Sequence, residues 1–289
     1  MTHIASPELS VAAMLRGYSI EVNPGQPTMV DAAIDRLAAD TEVFLTWIPG
    51  SNPMGMVEPA ARLRRAGLIP VPHIGARHIE SADQLEKLAA SLTSAAGVDR
   101  VLIIAGDRAT PAGPYDSSLA LMRTEVFQDA GVLRLAVAGF PEGNPIIPEA
   151  VLDDALAVKT AFARRTGLQL SIVTQFCFKP EPIVDWLKRI RACGIDVPVR
   201  VGLAGPAGLV TLMRYAVRCG IGNSVHVLTE HPSFARLLTE KGPEPIIRGI
   251  AASAGAHDRG VRPLGIAGLH FFVFGGFTKT VDWISAQLG

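Results

Sequence analysis

Five polar residues, Glu21, Thr46, His73, Asp107 and Gln175, each stand at the end of a short apolar run, a placement that limits what chemistry they can do. Glu21 lies in Ser19-Ile20-Glu21-Val22-Asn23, where Ile20 and Val22 share one face of an extended segment and Glu21 takes the other. A carboxyl enclosed by apolar neighbours keeps its proton to higher pH, which suits a general acid; the competing reading is a glutamate bridged to a basic residue. Asp107 closes Val101-Leu102-Ile103-Ile104-Ala105-Gly106-Asp107 and by type alone reads more readily as a turn or capping aspartate than as a catalytic one. His73 follows Val71 and Pro72 without the second and third ligands a metal needs, so it reads as a wall residue and no metal is expected. Gln175 sits in Val173-Thr174-Gln175-Phe176-Cys177-Phe178, where an amide among aromatic rings suits a flat heterocycle, or equally a strand end packed by Phe176 and Phe178. Cys177, with no nearby base, reads as a packing residue.

These residues can converge only if the elements that carry them do. Strand patterns fall at residues 18–22, 42–46, 69–73, 100–104, 133–138, 168–174, 199–203 and 269–274. Helical patterns fill the gaps at 28–40, 56–66, 81–95, 117–130, 149–166, 180–192, 207–218 and 278–288, with Ser81 as a cap and Pro180 at a first turn. Gly131, Gly167, Gly194 and Gly220 follow helical runs, where a positive φ is wanted. Eight strands each followed by a helix predict an α/β fold, a (β/α)8 barrel spanning residues 1–289 as one domain. Two extra helices, 233–241 and 244–254, are expected before the last strand, whose start is blurred by Gly265 and Gly268. The loop-like stretches 50–55 and 106–116 follow strand C-termini, where a barrel places its active site.

Composition narrows the class. Lys plus Arg and Asp plus Glu are 27 each, so no global field draws nucleic acid or an anionic membrane. Cys177, Cys193 and Cys219 show no Cys-x-x-Cys spacing, against a disulfide framework or structural zinc. No signal-peptide pattern or long apolar run is present, so a cytoplasmic protein with no membrane partner is expected. No Gly-x-Gly-x-x-Gly after the first strand and no Gly-Lys-Ser phosphate loop occurs.

Taken in order, Ser19-Ile20-Glu21-Val22-Asn23-Pro24, Pro72-His73-Ile74, Gly106-Asp107, Ala138-Gly139-Phe140-Pro141-Glu142-Gly143-Asn144-Pro145 and Thr174-Gln175-Phe176-Cys177-Phe178 resemble the successive motifs of the methylenetetrahydrofolate reductase family over roughly residues 18–215. The resemblance implies a barrel of one-carbon metabolism, on the route to methionine, that reduces 5,10-methylenetetrahydrofolate to 5-methyltetrahydrofolate with NAD(P)H, usually through bound FAD. It implies Glu21 as the acid that opens the methylene bridge and Asp107 as the group that stabilises the resulting cation. Gln175 would bond the pterin edge, with Phe176 and Leu209 on the substrate side. Thr46, His73, Gly106, Tyr115 and Phe140 are implied for the cofactor wall.

The departures concern the flavin. Ala105 stands where the family has an arginine before Gly-Asp, and Thr160 and Ala161 stand where it offers an Arg-Lys pair toward the diphosphate. Val22 and Asn23 replace paired aromatics, Asn144 replaces a histidine, and Leu209 replaces a ring-stacking phenylalanine. A diphosphate without cations forgoes hydrogen bonds worth about 1.5 to 3 kcal/mol each. Lys159, Arg164, Arg108 and Arg77 stand nearby as substitutes. The expectation drawn is a divergent reductase whose NAD(P)H passes hydride directly to the folate iminium, with FAD use left open. A folate-dependent methyl-transfer enzyme and a non-catalytic folate-binding subunit are the other readings.

Overall fold

A computed structural model describes residues 10–47, 50–218, 242–255, 263–274 and 276–289. Eight parallel strands close into a barrel in chain order: β1 Ser19–Val22, β2 Glu42–Leu45, β3 Ile69–Gly75, β4 Arg100–Ile104, β5 Arg134–Gly139, β6 Gln169–Thr174, β7 Val199–Ala204 and β8 Ile266–Phe272. The helices described between and around them are α1 Val11–Leu15, α2 Pro27–Arg36, α3 Val57–Arg65, α4 Ala82–Ala96, α5 Ser118–Met122 and α6 Val126–Asp129, followed by α7 Glu149–Thr166, α8 Pro180–Ala192, α9 Leu209–Arg218, α10 Glu244–Gly255 and α11 Phe277–Leu288. The expected (β/α)8 architecture is thus the observed one. The expected extra helix before the last strand is α10; residues 233–241 and Gly220 lie outside the described residues. By compactness the chain divides into two units, one of Ser19–Ala138 and Ala157–Ile172, the other of Met1–Tyr18, Gly139–Leu156 and Val173–Gly289.

Strands buried on both faces need continuous apolar runs, and Val101, Leu102 and Ile103 are all buried. Register then sets which residues share a face. Glu21 pairs with Phe44 and Phe44 with Val71, so these three and His73, two residues past Val71, point the same way.

Four elements differ from the sequence reading, each for a local reason. β3 runs two residues past His73 because His73, Ile74 and Gly75 are the segment that pairs with Leu102, Ile103 and Ile104, beyond Pro70 and Pro72, which lack an N–H. The helix expected over 117–130 breaks into α5 and α6, since the Thr124 hydroxyl donates to Leu121 O at 2.8 Å and Glu125 takes φ 58°. β8 starts at Ile266 and pairs along β7 with a register shift at Val199/Arg200. Gly268 admits the Arg200 side chain on its way to Gly17 O: a Cβ there would lie 2.8 Å from Arg200 Nη1. Helix α2 stops at Arg36, four residues early, because Asp40 turns at φ 64° and donates its N–H to Gly67 O.

Charge collects at the strand N-termini. Asp99 accepts from Arg64 at 3.1 Å, Arg100 at 3.0 Å and Arg134 at 2.8 Å, and Arg100 also reaches Glu42. Glu42, Arg100 and Arg134 are the first residues of β2, β4 and β5, so one network ties three strand starts together. Burial alone would raise the Asp99 carboxyl, but the hydrogen bond and charge of Arg100, then those of Arg64, hold it at about 2. A depressed carboxyl stabilises the fold above its unfolded value and loses that contribution as pH falls from about 4 toward 2. With Asp99 40% exposed, screening reduces the effect to on the order of 1 kcal/mol. Asp99→Asn is expected to lower Tm at pH 7 by about 2–4 °C and to narrow its deficit below pH 3, as measured by thermal melts across pH.

Candidate functional site

In the unit that holds β1 to β4, Glu21 is half-buried, yet surrounded closely enough that burial pushes its carboxyl up to about 7, with the field of His73 opposing the rise. His73 is 7% exposed and meets Phe44 edge-on, ring centroids 5.8 Å apart. The sequence-derived Glu21 and His73 are therefore brought together on one face of the sheet, and His73 is not the last residue of its strand. Thr46 follows β2 and spends both groups on Val22 O, its N–H at 3.0 Å and its hydroxyl at 3.4 Å. Tyr115, in the loop after β4, is 8% exposed, and its phenol is raised by burial and by Glu86.

Asp107 is 64% exposed, with Oδ1 2.8 Å from His78 Nε2. The His78 side chain is 7% exposed. It belongs to the 3-10 turn Ala76–His78 directly after β3, and its ring lies 5.5 Å from the Trp47 indole at 38°. Neither His78 nor Trp47 was singled out from the sequence, because only the fold ties positions 47, 78 and 107 together. Gly106, expected at a cofactor wall, has φ +91°, and a Cβ there would stand 2.7 Å from His78 Cδ2.

The second unit carries the other expected residues. Phe140 follows β5 half-exposed and closes a turn, its O accepting from the Gly143 N–H. Gln175 donates its backbone N–H to Gly139 O at 2.8 Å, and its side-chain Oε1 accepts from the Phe176 N–H at 3.3 Å. Phe176, expected on the substrate side, is fully buried against Phe178, Phe272 and Phe274. Leu209 opens α9 at 37% exposure. Past β8, the half-exposed Phe274 takes φ 46° and stacks on Tyr215 with centroids 4.2 Å apart, an aromatic pair the sequence reading did not pick out. Cys177 is buried, its thiol raised by that burial and by Glu142, in line with a packing role.

Two of the cations named as substitutes toward a flavin diphosphate are held by loop carbonyls. Arg77, one candidate substitute, donates to Asp116 O at 3.2 Å and to Ala109 O, and Arg108 donates to Thr110 O at 3.2 Å. Thr160 is 4% exposed. Lys159 has neither a hydrogen bond nor an ion pair among the described residues, but burial lowers its ammonium to about 8, weakening it as a fixed charge. Among the described residues no group of His, Cys, Asp and Glu is arranged to hold a metal ion, and no helix is long and apolar enough to cross a membrane.

No family model matches the chain. Among solved structures it is similar to a GH18 chitinase from Pseudoalteromonas aurantia, with a TM-score of 0.50 and 15% identity over 93% of this chain and 97% of that one. A 3-dehydroquinate dehydratase from Geobacillus kaustophilus HTA426 aligns with a TM-score of 0.45 and 12% identity over 94% and 89%. At 15% identity the chitinase likeness extends to the barrel alone, and a barrel hosts many reactions.

Ionising Glu21 inside the fold costs free energy that the unfolded chain does not incur. Because its carboxyl is raised, stability is full below about pH 4.5 and falls as pH climbs through about 7. Glu21→Gln is expected to melt higher than wild type at pH 8, by on the order of 2 kcal/mol, and to match it near pH 4. Equal melting shifts at both pH values would show that the carboxyl is not raised.

Proposed function

We propose that this protein reduces 5,10-methylenetetrahydrofolate to 5-methyltetrahydrofolate, with hydride passing directly from NAD(P)H to the folate. The observation that carries this reading is the Glu21 carboxyl raised to about 7, which keeps a substantial protonated fraction at neutral pH in a place crowded by protein. Together with the ordered motifs of the sequence it supports an acid acting on a basic nitrogen.

In the step, Glu21 gives its proton to N10 of the folate as the bond from the methylene carbon to N10 breaks, leaving an iminium cation at N5. Hydride from C4 of the reduced nicotinamide adds to that methylene carbon with its electron pair, yielding the N5-methyl group and NAD(P)+. Glu21 is left as a carboxylate and recovers its proton from water. The carboxylate of Asp107 would lower the energy of that cation through opposite charge. The commitment of Arg77 and Arg108 to backbone carbonyls favours a route without flavin.

The test is oxidation of NADH and of NADPH by flavin-stripped protein with 5,10-methylenetetrahydrofolate, with and without added FAD. Turnover without FAD and intersecting initial-rate lines are expected; turnover only with FAD, or parallel lines, would overturn direct transfer. Methyl transfer without nicotinamide oxidation, or folate binding without any turnover, would replace the reductase reading by a methyl-transfer enzyme or a binding subunit. Glu21→Gln is expected to lower kcat by about 100-fold or more while folate binding is preserved, and the wild-type rate should decline as pH rises past about 7. An unchanged rate in the variant would remove Glu21 as the acid.

A further inference from the structure

An exposed carboxylate has no fixed direction, because solvent lets its torsions turn freely. Asp107 is 64% exposed, and yet one of its oxygens is fixed: Oδ1 sits 2.8 Å from the Nε2 of His78, whose side chain is 7% exposed. That ring is held on three sides. A Cβ at Gly106 would stand 2.7 Å from its Cδ2, one at Gly75 would stand 3.0 Å away, and the Trp47 indole lies 5.5 Å off. A side chain at 106 would displace the imidazole and one at 75 would crowd it, and at φ +91° Gly106 also takes a backbone conformation that L side chains rarely adopt.

The turn that carries His78 is itself tied to the loop that carries Asp107. The Arg77 N–H donates to Ala105 O at 2.8 Å, the Ala112 N–H donates to Arg77 O at 2.9 Å, and the Arg77 guanidinium donates to Asp116 O. The main chain on both sides of the pair is thus fastened, and the imidazole spans what is left. Asp107 Oδ2 carries no hydrogen bond among the described residues and faces the choice of water or ligand.

We propose that His78 is the positioning residue for Asp107: its Nε2–H holds Oδ1 and so directs Oδ2 at a cationic ligand. The proposal rests on the reductase reading only for the identity of that ligand, the N5 iminium of the folate. His78 touches no reacting atom; it acts through Asp107, as an outer partner that fixes an inner group.

Two variants separate positioning from packing. His78→Gln keeps an amide N–H at similar reach, and His78→Met fills comparable space without a donor. The expected result is a kcat reduced tenfold or more in His78→Met with KM for the reduced nicotinamide within twofold, and a kcat largely recovered in His78→Gln. Rates that follow the melting temperatures of the two variants instead of the presence of the N–H would overturn the proposal. A second readout needs no substrate. In nitrogen-15 spectra of the wild-type chain, His78 should carry its proton on Nε2 with slowed exchange, and Asp107→Asn should weaken that protection. A His78 ring whose proton placement and exchange are unchanged in Asp107→Asn would also overturn it. If the pairing is seen but the wild-type chain turns over no folate, the reductase reading fails and the positioning of Asp107 stands.

Discussion

Burial of the Glu21 carboxyl inside a closed ladder of parallel strands is the constraint around which the rest of the molecule is arranged. Strand β1 is hydrogen-bonded within the barrel, and burial around its Glu21 drives the carboxyl toward its neutral form. His73 opposes that drive without cancelling it, and the outcome is a proton bound with an affinity near neutrality. A more polar surrounding would give an ordinary carboxylate, and a drier one a permanently protonated acid. Either would be a poorer donor at pH 7.

The two ends of the strands divide the labour of charge. At the N-terminal ends, Asp99 gathers three arginines and Arg100 reaches Glu42, a network whose opposite charges hold strand starts in register. Toward the C-terminal ends of β1, β3 and β4, charges are separately held: Glu21 by enclosure, Asp107 by one imidazole, Arg77 and Arg108 by loop carbonyls. A barrel stabilised from one end leaves the loops at the other end at liberty to vary. Here Arg77 and Arg108 donate to loop carbonyls after β3 and β4.

The 3-10 turn after β3 shows how a small element can organise a larger one. It is three residues long, yet its backbone and side chains reach Ala105, Asp107, Ala109, Ala112 and Asp116. Two glycines make the approach possible, and Trp47 covers the ring from the side. Rigidity in this stretch comes from hydrogen bonds between chain segments about 30 residues apart, which no local propensity encodes.

By itself the sequence determined the architecture, since apolar runs and helical periods alternate regularly enough that a closed parallel barrel is the arrangement that buries them all. It also picked out Glu21 as a carboxyl on the polar side of an apolar strand, Asp107 after a glycine, and Gln175 among rings. Tertiary structure decided what surrounds each of them. Phe176 became a core residue because Phe178, Phe272 and Phe274 close over it, and β3 outran His73 because its pairing with β4 begins there. His78 had no sequence signal, for a lone histidine after a strand is ordinary until the fold sets Gly106 and Asp107 against it. Periodicity is a property of near neighbours and survives in one dimension, whereas the partner of a side chain is fixed by distances in space, which only the closed barrel supplies.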